Sequence, residues 1–251
     1  MSHALFNILV LVWMAVALLT MVVLFRVVAP FGRHTSDTFG PTMPNHWGWC
    51  VMEVPSLLSL SYFFFTGSLS PTPLTWFMYG LWALHYLNRS FVYPFRQRDK
   101  SKRMPVAIVG SAIFFNLING FFNGYYLGNF ADFSADWWWS LPFMFGTILF
   151  FAGMLINMHS DHVLLNLRKP GEKTYRIPKG GLFRWVSCPN LFGEMVEWAG
   201  YALLTWNLAS LSFAVWTVAN LLPRAMAHHR WYQRRFPDYP SGRKAVIPGV
   251  L

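Results

Sequence analysis

Six ionisable residues lie within or at the ends of long apolar runs: Glu53, His85, Arg89, Asp161, Glu194 and Glu197. Such groups are costly in hydrocarbon, and those that occur there face a bundle interior or a wet cavity and serve function. Three polar stripes have helical spacing. Asn157, Asp161 and Arg168 fall at i, i+4 and i+11; Asn190, Glu194, Glu197 and Tyr201 follow a similar pattern; Arg224, His228 and Tyr232 are four apart. Asn beside a carboxylate suits an amide or a ribose diol, and Arg suits phosphate through its bidentate fork. Together the stripes predict one pocket, opening to one face of a membrane.

Two shorter segments carry the remaining candidates. In "CVMEVPSLLS", Glu53 falls near the predicted start of a helix, where a carboxylate is also stabilised simply by the helix dipole. In "LWALHYLNRSFVYP", Tyr86, Arg89 and Tyr93 share a helix face at i, i+3 and i+7. Arg89 and Tyr93 fit an interfacial aromatic belt with a snorkelling Arg, whereas Tyr86 lies deeper. Metal chemistry is disfavoured, because His159, Asp161, His162, His228 and His229 do not follow the paired-histidine spacing of membrane di-iron enzymes. No nucleophile elbow supports Ser-His-Asp catalysis, and no GxGxxG follows a strand.

The elements that must position these residues follow from composition. The 251-residue chain is 55% hydrophobic, 19% aromatic and 12% charged, with a mean hydropathy of +0.34. Soluble domains carry roughly 25% charged residues, so this chain has too few charges to cover a water-facing surface. A membrane-spanning helix needs about 20 apolar residues. Spans are predicted over Leu5–Val28, Trp49–Phe65, Leu74–Tyr93, Val106–Leu127 and Leu141–His159. The tract from Phe192 to Pro223, broken near Asn207, supplies two more. Seven spans in an all-α integral membrane fold result. The first is too long for a signal-peptide core.

Charge orients them. Of the 20 Lys and Arg, five lie in Arg96–Arg103, six in Arg168–Arg184 and six in Arg224–Lys244, with Arg33 in the loop after the first span. The loops on the opposite side, Gly67–Pro73 and Gly128–Ser140, hold none. Basic loops stay cytoplasmic, which puts the N-terminus outside and the C-terminus inside. The net charge of +10 then faces anionic headgroups or an anionic cofactor; nucleic acid is not required. Cys50 and Cys188 provide neither a disulfide framework nor a metal site.

The residues that carry chemistry also carry a resemblance. "GMLINMHSDHVLLNLRKPGEKTYRIPKGGLF", "NLFGEMVEWAGYAL" and "HHRWYQRRFPDYPSGRKAVIPGVL" resemble the C-terminal signature of the steroid 5α-reductase (3-oxo-5-alpha-steroid 4-dehydrogenase) family, and "MEVPSLL" and "LHYLNRSFVYP" resemble its two N-terminal motifs. The resemblance implies a single membrane reductase domain over 1–251, with the substrate pocket mainly in 1–127 and NADPH binding mainly in 141–251. Glu53 and Tyr86 would be catalytic and grip the 3-keto oxygen of a Δ4 steroid, with Arg89 also on the substrate side. Asn157, Asp161, Arg168, Tyr175, Arg176, Asn190, Glu194, Trp198, Arg224, His228 and Tyr232 would hold NADPH. Two features depart from the family pattern: Met52 stands where Gln is common, and the Arg96–Arg103 loop is longer, leaving open whether Lys102 or Arg103 meets a phosphate.

The implied chemistry is consistent with those residue types. Reduction at C5 pushes electrons onto the carbonyl oxygen, where a hydrogen-bond donor stabilises the enolate. Tyr86 donates through its hydroxyl, and Glu53 donates only when protonated. Rival readings are an enoyl-CoA or polyprenol reductase sharing the cofactor half, a non-catalytic seven-helix membrane protein, and an isoprenylcysteine-type methyltransferase. The expected membrane is the inner membrane of a bacterium or the endoplasmic reticulum of a eukaryote. The topology has its own test. A cysteine at Ser134 should be labelled from outside intact cells, and one at Ser241 only after permeabilisation; the opposite pattern overturns the orientation.

Overall fold

The computed structural model of the chain describes residues 1–28, 40–168, 172 and 174–251. Arg33, Lys169 and Lys173 of the predicted basic loops lie outside the described residues. The chain divides into two compact units, Met1–Val10 with Pro30–Ser140, and Leu11–Ala29 with Leu141–Leu251.

In the first unit, a two-stranded antiparallel ribbon, β1 (Thr42–Pro44) with β2 (Arg103–Pro105), precedes its two long helices, α2 (Asn45–Phe65) and α5 (Val106–Asn129). This ribbon was absent from the predicted all-α elements. It moves the start of α2 back from Trp49 to Asn45, because Pro44 is extended and Asn45 is tied to Lys102 O at 2.9 Å and to Gln97 Oε1 at 2.7 Å. Glu53 therefore sits about two turns inside α2, beyond the reach of the helix-terminal dipole. Pro55 is interior too.

Between them, α3 (Pro73–Leu87) opens with a reciprocal Thr72–Thr75 cap and Pro73 in its first turn. The predicted single helix to Tyr93 does not stay α-helical. It widens to a π turn over Asn88–Val92, where Tyr93 N–H bonds Asn88 O, and then closes in the short α4 (Tyr93–Arg96). Pro94 explains the widening, since it has no N–H to continue the ladder and its ring crowds the preceding turn. Such π turns frequently mark functional sites.

The second unit rests on α6 (Leu141–Asn166), α7 (Pro189–Thr205) and α8 (Leu208–Arg235). The predicted break near Asn207 is present: Trp206 adopts φ 46° and Asn207 caps α8 through Ser210 N–H at 3.0 Å. Helix α8 runs past the predicted limit at Pro223, and α6 past His159, so Asn157 and Asp161 lie inside α6 while Arg168 lies just beyond it. Trp13 of α1 (His3–Arg26) packs on Trp216 at 4.6 Å.

Helices α6 and α7 touch backbone to backbone. A Cβ added at Gly153 would lie 2.5 Å from Gly193 O, and one at Gly200 would lie 2.6 Å from Gly146 O. Lipid tails give no hydrophobic drive between helices, and small residues permit the close packing that replaces it.

Four described helices, α1, α2, α5 and α6, are long and apolar enough to cross a membrane. Helices α3 and α7 have 15 and 17 residues, and the seven-span expectation requires them and α8 to cross as well. Gly153→Ala should destabilise the detergent-solubilised protein by about 1–3 kcal/mol. Gly110→Ala, where an added Cβ meets nothing within 4 Å, should leave thermal unfolding unchanged or slightly raised.

Candidate functional site

In the first unit, Glu53 of α2, Tyr86 of α3 and Asn116 of α5 meet. Asn116 Nδ2 donates to Met52 O at 2.6 Å and to Glu53 Oε2 at 3.3 Å, and Tyr86 Oη donates to Asn116 Oδ1 at 3.3 Å. Tyr86 and Asn116 are each 3% exposed. Trp82 stacks on the Tyr86 ring at 5.3 Å and His85 meets it edge-on at 5.1 Å. A carboxyl and a phenol thus converge in an aromatic shell, a combination suited to hold a carbonyl oxygen.

Arg89 does not snorkel. It is 9% exposed, with its guanidinium carbon 4.7 Å from the Trp49 ring and 4.8 Å from the Tyr93 ring. The π turn between Asn88 and Val92 presents it there. The two rings meet edge to face at 5.3 Å, and the cation lies against both, held by their quadrupoles.

In the second unit, the glycine contacts bring two polar stripes together. Asn157 Nδ2 donates to Asn190 O at 3.0 Å and to Glu194 Oε2 at 3.3 Å, and Asn190 Nδ2 donates to Asp161 Oδ1 at 3.1 Å. Both N–H groups of Asn157 are thereby engaged within the seam. Carboxylates accept from hydroxyl and amide donors. Asp161 is buried, while Glu194 and Asn190 are partly open.

The other predicted cofactor residues divide between surface and interior. Arg168 lies over the Tyr175 ring at 5.0 Å, and Tyr175 meets Trp231 at 4.8 Å. Arg176 pairs with Glu172 at 2.7 Å, its side chain 55% exposed; such a surface pair contributes little to stability. Arg224 and His228 are partly buried on α8. Trp198 is enclosed by Phe213, Tyr201 and Phe150 with centroids at 4.5, 5.6 and 6.2 Å, and Tyr232 stacks on Tyr239 at 5.3 Å. In the first unit, Arg103 is held by Thr42 through Nε to Oγ1 at 2.7 Å and Nη2 to O at 2.6 Å. No group of three or more His, Cys, Asp or Glu that could hold a metal ion occurs among the described residues.

A further polar knot fastens the start of α7 to the C-terminal segment. Ser187 Oγ lies 2.6 Å from both His229 Nδ1 and Tyr239 Oη and donates to Lys244 O at 3.1 Å. Arg243 donates to Pro178 O at 3.3 Å and to Tyr239 Oη at 3.5 Å. Lys244 O also accepts Ser187 N–H at 2.8 Å, and Ala245 O accepts Cys188 N–H at 3.1 Å.

Comparison with known proteins settles the family. The family model of 3-oxo-5-alpha-steroid 4-dehydrogenase matches residues 102–251. A Bos taurus 3-oxo-5-alpha-steroid 4-dehydrogenase 1 is 41% identical over 242 residues, covering 94% of this chain and 93% of its own. The chain belongs to the 3-oxo-5-alpha-steroid 4-dehydrogenase family. A steroid 5-alpha-reductase of Solanum lycopersicum is 39% identical over 97% of this chain and 96% of its own, and a Homo sapiens 3-oxo-5-alpha-steroid 4-dehydrogenase 1 is 41% identical over 87% and 85%. The family model's match begins at residue 102, after Glu53 and Tyr86; the pairwise similarity extends over nearly the whole chain.

Asn116, Ser187 and Tyr239 are absent from the residues that the sequence predicts for the site. For Asn116 a signal existed: Asn116, Asn119 and Asn123 repeat at i, i+3 and i+7 within an apolar helix. They carry no charge, so they do not stand out in an apolar run as Glu53 or Asp161 does. Ser187 and Tyr239 have no local signal, being 52 residues apart.

His229, on α8 past Pro223, lies beyond the apolar tract. Burial first, then the Arg243 and Lys244 charges, hold its pKa below the ordinary 6.5. A base whose folded pKa is lowered resists protonation in the folded state, so stability falls as pH drops through about 6.5 towards that lower value. Thermal unfolding should therefore drop between about pH 7.5 and pH 5.5. His229→Asn, which keeps a polar group near Nδ1 but does not titrate, should show a smaller drop; an equal drop in both proteins would remove His229 as its cause.

Proposed function

We propose that this protein reduces the 4,5 double bond of 3-keto-Δ4 steroids to the 5α product, using NADPH, as a seven-span membrane enzyme with its C-terminus in the cytoplasm. The observation that carries the reading is the Glu53–Asn116–Tyr86 cluster, a hydrogen-bonding group set in aromatic surroundings, in a chain of this family. A sterol needs an apolar slot with one polar end, and a carboxyl beside a phenol is such an end.

The chain's own residues have separable tasks in this reading. The Tyr86 hydroxyl donates a hydrogen bond to the 3-keto oxygen and keeps its proton, and protonated Glu53 donates a second hydrogen bond. Both act on the oxygen where charge accumulates as C5 is reduced, and donors placed there in advance need no reorganisation. C4 then takes a proton, which completes the addition of two hydrogens across the bond. Arg89, lodged against the Trp49 and Tyr93 rings, keeps a positive charge near that end of α3.

The second unit fits a dinucleotide by the chemistry of its donors and acceptors. Asp161, Glu194 and Asn190 suit ribose hydroxyls and a carboxamide, with Asn157 holding Glu194 in place. Arg168, Arg176 and Arg224 suit phosphates, with Tyr175 aligning Arg168; His228, Tyr232 and Trp198 complete the set. When bound, NADPH supplies the hydride. Residues 1–127 hold the substrate and 141–251 the cofactor.

Purified protein with NADPH and a panel of Δ4-3-ketosteroids, enoyl-CoAs and polyprenols, read by mass spectrometry, tests the assignment. A dihydrosteroid product is expected; reduction of only an enoyl-CoA or a polyprenol would overturn it. Tyr86→Phe should cost turnover roughly 10²–10³-fold, the scale for deleting an oxyanion donor. NADPH should be preferred over NADH by about 10-fold or more, because a charge-assisted contact to the 2′-phosphate is worth about 1.5–3 kcal/mol. Arg168→Ala should weaken NADPH binding and flatten its salt dependence.

A further inference from the structure

The Asn116 amide joins both members of the carbonyl-holding pair, and its orientation follows from its partners. Its nitrogen end is 2.6 Å from the Met52 carbonyl oxygen. That oxygen only accepts, so the group facing it is the NH2. The remaining N–H is directed at Glu53 Oε2, 3.3 Å away. Oδ1 is then fixed towards Tyr86 at 3.3 Å. An amide oxygen only accepts, so the phenol donates.

We infer that Asn116 is a positioning residue for the reaction proposed above, acting through Tyr86 by accepting the phenolic hydrogen bond weakly until the substrate oxygen replaces it as acceptor. The inference rests on that functional reading. At 3.3 Å the bond is long for O–H···O, whose usual length is about 2.7–2.8 Å, and its acceptor is neutral. A ketone oxygen is an acceptor of the same class, so exchanging Asn116 for substrate gains little before reaction. The oxygen of the developing enolate is anionic and draws a shorter, roughly twofold stronger bond. The exchange therefore favours the transition state over the ground state, which is the difference that lowers a barrier.

A further feature supports this role: the amide cannot withdraw. One turn along α5, a Cβ added at Gly120 would lie 2.7 Å from Ser56 O, so the α5 backbone is pressed against α2 beside the site. Asn116 is thus held by its neighbours as firmly as it holds them.

A double-mutant cycle on the full-length enzyme tests the inference, with a Δ4-3-ketosteroid and NADPH as substrates. Asn116→Ala should lower kcat roughly 10- to 100-fold, the scale of misplacing a catalytic group by about 1 Å, with KM for the steroid within about 2-fold. In the Tyr86→Phe background the same substitution should cost less than about 3-fold, because coupled residues are non-additive. Asn116→Leu, of similar volume but without polar atoms, should repeat both results and guards against a packing defect in the alanine variant. Equal losses in the two backgrounds, or a loss confined to KM, would overturn the role of Asn116 alone. A wild-type enzyme that reduces no Δ4-3-ketosteroid would overturn the functional reading, and with it the assignment of Asn116 to this reaction.

Discussion

Close contact between helix backbones is the constraint on which this structure depends. Lipid offers apolar side chains nothing to escape from, so helices associate through packing and through polar groups placed where the backbones approach. Glycines at 146, 153, 193 and 200 bring α6 and α7 that close, and the amides and carboxylates of Asn157, Asp161, Asn190 and Glu194 bond across the same seam. In α2 and α5 the pairing repeats: Gly120 and Gly124 meet the α2 backbone near Ser56 and Leu60, and Asn116 reaches Met52 and Glu53 one turn away. In both units the glycines make the approach, and the approach makes the polar cluster.

This arrangement accounts for how carboxylates survive in so apolar a chain. Glu53 and Glu194 each accept from an Asn amide whose second N–H is spent on a main-chain carbonyl. An amide pinned this way cannot rotate to expose its oxygen to the carboxylate, so the bond has a fixed direction. A neutral amide hydrogen-bonds an acid group without adding a countercharge of its own.

The basic residues obey a different rule. Most stand outside the apolar segments, yet several of those described are fixed by specific partners: Arg103 by Thr42, Arg176 by Glu172, Arg243 by Pro178 and Tyr239. Arg89 and Arg168 are aligned by ring faces. Aligning a guanidinium before a ligand arrives removes part of the entropy lost on binding.

The sequence alone was enough for four apolar spans, the break at Asn207, the family, and the pairing of Asn157 with Asp161 on α6 and of Asn190 with Glu194 on α7, because each is written in local spacing or in contiguous motifs. It misplaced the start of α2, since only pairing of β1 with β2, some 60 residues on, carries the helix back to Asn45; as a result Glu53 was read as a helix-terminal residue. It read α3 as one regular helix, since the effect of Pro94 on the preceding turn depends on where the widened backbone finds room. Asn116 was beyond it for a more general reason. The i, i+3, i+7 repeat of Asn116, Asn119 and Asn123 marks a polar helix face but names no partner, and Asn116 joins the site only once Gly120 lets α5 approach α2 and brings Met52, Glu53 and Tyr86 within hydrogen-bonding distance. Residue type and spacing told which groups can do chemistry; contact between distant backbones decided which of them meet.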